Sequence, residues 1–354
     1  MSVVPDKIEA MTGAPQALNQ PALKAALLRP QGYFGRVEIV GTTGSTNTDL
    51  AGSAGDPHQL WPDLSVLIAD AQEAGKGRLG RTWVVPAGAA MISSVFLRPG
   101  DRAPSAAGRP GSGAGSAPTS DALSFGAPAA GQPAGGALPF DAHTSGASAF
   151  ALTGYAWLSI LAGVALCEAL RVHTSVPAAL KWPNDVVVNG RKLAGILAQL
   201  VPFTTGGPGV VVGAGVNVSA DAHQLPTDRA TSLLLEGAIP EALDRNVLLP
   251  AYLNTFAALY NEFVAAAGDA AAPLIGGVGG GRSLLELAAQ HMSTLGQEVR
   301  AELPGGAMLH GTATGLGNDG SLLIRDAAGT FHTVSAGDVI HLRRTETDGT
   351  LNYA

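Results

Sequence analysis

Four segments of the chain carry residue types and spacings suited to chemistry on an anionic ligand. The first is Glu73-Ala74-Gly75-Lys76-Gly77-Arg78-Leu79-Gly80-Arg81-Thr82-Trp83, in which three glycines alternate with three cations. Glycine lets the backbone approach a ligand closely, and Lys76, Arg78 and Arg81 supply charge for an anion. The segment reads as a phosphate-covering loop or, equally, as a solvated basic turn. It has neither the GxxxxGK[ST] spacing of a P-loop nor a GxGxxG at a strand-to-helix junction. The second segment is Leu180-Lys181-Trp182-Pro183-Asn184-Asp185, followed by Arg191-Lys192-Leu193-Ala194-Gly195-Ile196-Leu197. A lysine before a bulky Trp-Pro pair, at the head of an apolar strand, needs an anionic partner. A ligand would serve, and so would a snorkelling position beside a structural turn, with Asn184 and Asp185 bonding their own backbone.

The third segment, Thr43-Gly44-Ser45-Thr46-Asn47, places small hydrogen-bonding side chains directly before a helix. These residues are good N-caps, and the same hydroxyl and amide groups could hold a small polar head such as a ureido ring. The fourth, Val211-Val212-Gly213-Ala214-Gly215-Val216-Asn217-Val218, is an apolar strand whose glycines leave room beside the backbone. Asn217 at its end either reads a base edge or simply closes the strand.

These segments must be positioned by a sheet and a few helices. Short β-branched runs at 37–40, 65–69, 92–97, 186–188, 196–200 and 210–218 predict strands of one sheet. Helical patterns fall at about 21–28, 46–51, 155–170, 248–267 and 284–292. The alternation suits an α+β domain with a mixed sheet better than a sandwich. Five further strand-like runs, 295–303, 308–316, 321–325, 331–335 and 339–343, are broken by Pro304-Gly305-Gly306, Asn318-Asp319-Gly320 and Ala328-Gly329. They predict a small SH3-like barrel. The expected organisation is an N-terminal extension over 1–36, a main domain over 37–292, the barrel over 293–344 and a tail over 345–354. Within the main domain, residues 100–149 collapse to Ala, Gly, Pro and Ser and cannot bury enough apolar surface to offset their ordering entropy. They read as a disordered surface insertion.

Composition removes several function classes. A net charge of -7 opposes a protein built to neutralise a nucleic-acid backbone, so its basic groups must be local. The single cysteine, Cys167, lies in an apolar run, which excludes an intrachain disulfide and a cysteine-rich metal site. The first 28 residues lack a basic cluster leading into an apolar run, and Tyr155–Leu170 falls short of the roughly 20 residues that span a bilayer. The expectation is a cytoplasmic protein with no membrane partner.

Taken in order, Thr43-x-Ser-Thr-Asn, Gln72-x-x-Gly-Lys-Gly-Arg-x-Gly-Arg-x-Trp83, Lys181-Trp-Pro-Asn-Asp185, Lys192-x-x-Gly-Ile-Leu197 and Gly213-x-Gly-x-Asn217 resemble the biotin–protein ligases. The likeness runs from about Val37 to Arg343, interrupted by the 100–149 segment. Lys76 stands where that family usually has arginine, which keeps the charge and loses the planar fork. The resemblance implies a catalytic domain of the class II aminoacyl-tRNA synthetase and biotin ligase type, with the SH3-like barrel behind it. It implies an enzyme that joins biotin to AMP with ATP and passes the biotinyl group to a lysine of a biotin carboxyl carrier domain. Lys181 and Arg78 would be catalytic. Ser45, Thr46, Asn47, Gln72, Gly75, Lys76, Gly77, Arg78, Lys181 and Gly195 would hold biotin; Arg78, Arg81, Trp83, Lys181, Asn184, Lys192 and Asn217 would hold ATP. Mg2+ would accompany ATP, with no dedicated protein metal site and Asp185 bracing the Lys181 turn. A homodimer is compatible with the sequence.

Two rivals share features with this reading. A lipoate-type ligase uses the same adenylation chemistry, but the Lys-Trp-Pro-Asn-Asp run and the barrel-like tail fit the biotin branch. A biotin-responsive repressor would need a DNA-reading domain, and the 36 residues before Val37 are too few for a winged helix. Replacing residues 101–148 with a short Gly/Ser linker is expected to leave ligase activity within a few-fold, because long surface loops add little closure entropy. Loss of folding or of activity in that deletion, measured by thermal melting and pyrophosphate release, would show the segment to be functional.

Overall fold

The structure is a computed structural model that describes residues 16–101, 150–203, 207–302, 307–335, 339–344 and 351–353. The insertion expected at 100–149 therefore falls almost wholly outside the described residues. After helix α1 (Gln20–Leu27), the chain runs through β1 (Arg36–Thr43), α2 (Thr46–Gly55), β2 (Ser65–Gln72), β3 (Gly75–Lys76), β4 (Thr82–Trp83) and β5 (Ala90–Leu97). It continues as α3 (Gly154–Thr174), β6 (Ala179–Lys181), β7 (Asp185–Val188), β8 (Arg191–Val201), β9 (Gly209–Asn217), α4 (Arg245–Ala265) and α5 (Leu284–His291). The main sheet has seven strands in the order β1-β2-β5-β9-β8-β7-β6. Only the β1–β2 pair is parallel, so the sheet is mixed, as expected.

Its middle strands are buried on both faces. Leu67, Phe96 and Val211 point to one side, where they pack with Leu50 and Ala54 of α2 and with Trp61. Val66, Ile68, Val95, Leu97, Val210 and Val212 point to the other, into the core built with α3 and α4. A strand covered on both faces needs apolar residues at successive positions, which is why β2, β5 and β9 read as continuous apolar runs rather than alternating ones. Helix α3 is apolar all round for the same reason. It is long and apolar enough to cross a membrane by length and composition, yet most of it lies inside the protein. Gly163 lets it approach the sheet, since a Cβ there would strike the Leu180 side chain.

A second sheet follows: β10 (Glu298–Glu302), β11 (Met308–Leu316), β12 (Leu322–Arg325), β13 (Phe331–Val334), β14 (Val339–Arg344) and β15 (Leu351–Tyr353). It is antiparallel throughout, in the order β13-β12-β11-β10-β14-β15. The five expected strands are present, and β15 adds a sixth from the segment read as a tail. This small β unit shares its core with the main domain: Val299, Ala313, Leu322 and Ile324 join the apolar cluster that contains α3. Two indoles tie the units together, Trp157 Nε1 donating to Asn318 O at 2.8 Å and Trp182 Nε1 to Gly320 O at 2.9 Å.

Cys167 is buried on α3, and that burial, with the Glu168 carboxylate beside it, pushes its thiol up to about 12. The thiol of the native protein is expected to resist iodoacetamide at pH 8 over hours and to react within minutes in denaturant. Fast native alkylation, followed by mass spectrometry, would contradict this packing.

Candidate active site

The four sequence segments converge on one cavity of about 580 Å³ at the β3–β4 end of the sheet. That volume is ordinary for a small-molecule site. Every residue named above for either ligand lines it except Gly75. Gly75 is buried in the β3–β4 hairpin opposite Trp83, where a Cβ would strike the Gln72 side chain and the Trp83 carbonyl. It is packed inside the hairpin, behind the residues that line the cavity.

The glycine and arginine segment is an ordered hairpin here. Gly75 and Lys76 pair with Trp83 and Thr82, Gly77 N donates to Arg81 O at 2.7 Å, and a 3-10 turn over Arg78–Gly80 closes the end. Gly80 takes φ +73°, a left-handed conformation that favours glycine. The hairpin lies over the sheet through Trp83. Gly195 and Gly215 are cross-strand neighbours on β8 and β9, and the indole rests on both. A Cβ on Gly215 would come within 2.7 Å of the indole Nε1 and one on Gly195 within 3.2 Å of Cζ3. These two glycines are thus the seat of Trp83, and Gly195 shapes the cavity through that ring.

Lys181 ends β6 and faces Asp185 across the turn Trp182-Pro183-Asn184. Trp182 is buried, its N–H donating to Thr294 Oγ1 at 2.9 Å, so the residue beside the lysine is anchored in the core. Asn184 does not bond its own turn. Its Oδ1 accepts from Arg78 Nη1 at 3.2 Å, its Nδ2 donates to Ile196 O at 2.5 Å, and its carbonyl accepts from Ile196 N at 3.0 Å. Asp185 pairs with Lys192 at 2.6 Å, and Lys192 also stands 5.7 Å from the Trp83 ring centroid. Burial lowers the Arg78 pKa, a pull opposed by the Asp185 charge and reinforced by Arg81. Arg78 remains a cation at neutral pH, held where a counter-charge is welcome.

At the start of α2, Ser45 occupies the N-cap but makes no side-chain capping bond. Gln72 caps the helix instead, its Oε1 accepting from Thr46 N at 3.0 Å. Asn47 lines the cavity with both amide ends engaged by protein: Nδ2 donates to Leu197 O at 2.9 Å, and Oδ1 lies 2.6 Å from Ser94 Oγ. Gly213 sits against it, where any Cβ would fall on Asn47 Oδ1. Asn47, expected to contact the ligand, thus lines the cavity while its amide also braces α2 against β5 and β8. Asn217 donates from Nδ2 to Thr231 O at 2.8 Å, while its buried Oδ1 has no protein partner. That oxygen suits a ligand N–H.

Several residues of the site were not apparent from the sequence. Ser94, a serine inside an apolar strand, does not line the cavity but lies beneath two residues that do, Thr46 and Asn47. Thr227, Arg229 and Ala230 come from a loop bonded along β8, with Lys192 N donating to Arg229 O at 2.7 Å and Thr231 N to Lys192 O at 2.8 Å. Glu236 fixes that loop by accepting from Thr231 Oγ1 at 2.7 Å and Arg191 Nη2 at 2.9 Å. Arg300 and Met308 reach the cavity from the second sheet. Among the described residues the lining holds the cations Lys76, Arg78, Arg81, Lys181, Lys192, Arg229 and Arg300 and the single carboxylate Asp185. No group of three or more His, Cys, Asp or Glu that could hold a metal occurs among the described residues.

Comparison with known proteins agrees with this geometry. The family model "Biotin/lipoate A/B protein ligase family" matches residues 41–107 and 138–217, and "Biotin protein ligase C terminal domain" matches 294–342. The first match breaks over 108–137, inside the Ala/Gly/Pro/Ser segment. A biotin–[acetyl-CoA-carboxylase] ligase of Mycobacterium tuberculosis is 33% identical over 92% of this chain and 96% of its own length. One from Paracoccus denitrificans is 27% identical over 82% of this chain and 95% of its own. Among solved structures, the biotin protein ligase of Aquifex aeolicus in complex with biotin and ATP has the same fold, with a TM-score of 0.56 and 22% identity over 88% of this chain and 100% of that one. The chain belongs to the biotin protein ligase family and is an enzyme of the biotin–[acetyl-CoA-carboxylase] ligase type.

Proposed function

We propose that this cavity activates biotin as biotinyl-5'-AMP at the expense of ATP and then delivers the biotinyl group to a lysine of a biotin carboxyl carrier domain. The observation that carries the reading is electrostatic: a chain of net charge -7 gathers seven cations and one carboxylate around a single cavity. Such a lining favours a polyanion held beside a second anion. Biotin's carboxylate oxygen attacks the α-phosphorus and pyrophosphate departs; the carrier amine then attacks the acyl carbon and AMP departs. No protein nucleophile is needed, so the protein must align two anions and cancel their repulsion.

Lys181 stands at the end of β6, beside the turn held by Trp182 and Asn184, and in this reading it would bridge the carboxylate and the α-phosphate. Ser45, Thr46 and Gln72 would hold the ureido end. Trp83, Lys192 and the open Asn217 Oδ1 would meet the nucleotide, with Arg78 and Arg81 over the phosphates. Mg2+ would enter with ATP and lend charge to the departing pyrophosphate. The donor set agrees with that route, because Asp185, the one carboxylate in the lining, is committed to Lys192. The deciding experiment is incubation with biotin, MgATP and a biotin carboxyl carrier domain. A mass increase on the carrier, absent with lipoate, supports the reading, and an unchanged carrier opposes it.

Lys181→Ala is expected to fold and to lose adenylation by on the order of 10² to 10³, since a charge contact made mainly in the transition state is worth several kcal/mol. Retention of more than about a third of wild-type pyrophosphate release would remove Lys181 from this role. Arg78→Gly should have a different effect. It removes the contact to Asn184 that joins the hairpin to the Lys181 turn, and with it a charge-assisted bond worth about 1.5 to 3 kcal/mol to the closed state. The adenylate is expected to escape roughly 10- to 100-fold faster and to acylate a bystander albumin. Equal albumin labelling by mutant and wild type would show that Arg78 does not retain the intermediate.

A further inference from the structure

Ser94 is fully buried in the middle of β5, directly beneath the start of α2. Its hydroxyl lies 2.6 Å from Asn47 Oδ1 and 2.8 Å from Thr46 Oγ1. A hydroxyl has one proton, so Ser94 donates to one of these atoms and accepts from the other. Asn47 decides which. Its Nδ2 is fixed by donating to the Leu197 carbonyl at 2.9 Å, which leaves Oδ1, an atom with no proton, facing Ser94. Ser94 must therefore donate to Asn47, and the Thr46 hydroxyl must donate to Ser94. The other acceptor near Thr46, Gln72 Oε1, is farther away at 3.3 Å and already accepts from Thr46 N at 3.0 Å.

The relay runs one way, from Thr46 through Ser94 to Asn47 and on to the Leu197 carbonyl. Thr46 has spent its only proton on it, so toward the cavity its oxygen offers lone pairs alone. We infer that Ser94 is a specificity-determining positioning residue: by holding the Thr46 hydroxyl as a pure acceptor, it makes the cavity demand a ligand N–H at this point. A ureido ring supplies one. A head group that presents only oxygen or sulfur there meets lone pair with lone pair and leaves Thr46 unsatisfied. The inference rests on the proposed biotin site and adds the reason it rejects isosteres.

The test compares biotin with its cyclic carbonate analogue, in which oxygen replaces both ring N–H groups, using pyrophosphate release by the full chain. Wild type is expected to prefer biotin in kcat/KM by at least about 10². In Ser94→Ala the Thr46 hydroxyl loses its nearer acceptor and keeps only the longer contact to Gln72 Oε1 at 3.3 Å, so its proton is freer to turn to the cavity. The biotin KM should rise about 10-fold with kcat within about 3-fold, and the preference over the carbonate should narrow by about 10-fold. Ser94→Cys, similar in shape but a weak hydrogen-bonding group, should fall between the two, and it serves in place of the alanine variant should that one misfold. A preference within 2-fold of wild type in either variant, whatever happens to KM, assigns Ser94 to packing and overturns the inference. A wild-type protein that releases pyrophosphate with lipoate and not with biotin overturns the substrate reading itself, an outcome distinct from any change in the ratio.

Discussion

Seven cations around one cavity repel each other, and the architecture of the site is a solution to that repulsion. Two of them, Lys192 and Arg78, are placed by groups that absorb charge without filling the cavity. Asp185 takes Lys192 at 2.6 Å, and the neutral amide of Asn184 accepts from Arg78 at 3.2 Å. Both acceptors follow Lys181 within a few residues, so the turn that presents the lysine also organises its neighbours. The cost shows at Arg78, whose burial lowers its pKa in spite of Asp185. A site in that condition is stabilised by an incoming anion, because desolvated cations gain more from a counter-charge than solvated ones do.

The second constraint is steric. Hairpin β3–β4 can lie close over the sheet because Gly195 and Gly215, paired across β8 and β9, offer no Cβ to the Trp83 indole. Gly213, two residues earlier, does the same for Asn47 on the α2 side. One strand thus seats two opposing parts of the site through glycines spaced by two, which is the period that keeps side chains on one face of a strand. The glycines of the fourth segment leave room, as the sequence suggests, but protein side chains occupy that room.

Most of the fold is legible in the sequence, because strands buried on both faces write continuous apolar runs and several helices, though not α2 or α3, open on a side-chain cap. Helix α5, for example, opens with Ser283 and Glu286 bonded reciprocally. The two-residue strands β3 and β4 and the three-residue β6 are invisible to any periodicity, since a period needs several repeats to register. Segment composition also picks out residues that meet at one cavity, because glycine, cation and short polar residues have few other reasons to cluster. What composition does not convey is which partner each group finds. Asn47 and Gln72 look like ligand contacts, and in the fold the first also braces α2 and the second also caps it, while Ser94 carries no local signal because a serine in a strand is unremarkable without its neighbours in space. Arg300 and Met308 arrive from another sheet, well after the last of the four segments ends at Val218, beyond the reach of spacing arguments.

That late contribution bears on how the second sheet relates to catalysis. Trp182 is flanked by Lys181 and sits in the shared core, with its indole N–H on Gly320 O and its backbone N–H on Thr294 Oγ1. Trp157 makes the equivalent bond to Asn318 from the central helix. Displacing the second sheet would expose two large indoles and exchange their hydrogen bonds for water, each a loss of about 0.5 to 1.5 kcal/mol before any apolar surface is counted. The turn bearing Lys181 would lose its anchor in the same event. The small sheet is therefore packed as part of the same folded unit, and the β11–β12 turn, which accepts both indoles, buttresses the residue beside Lys181.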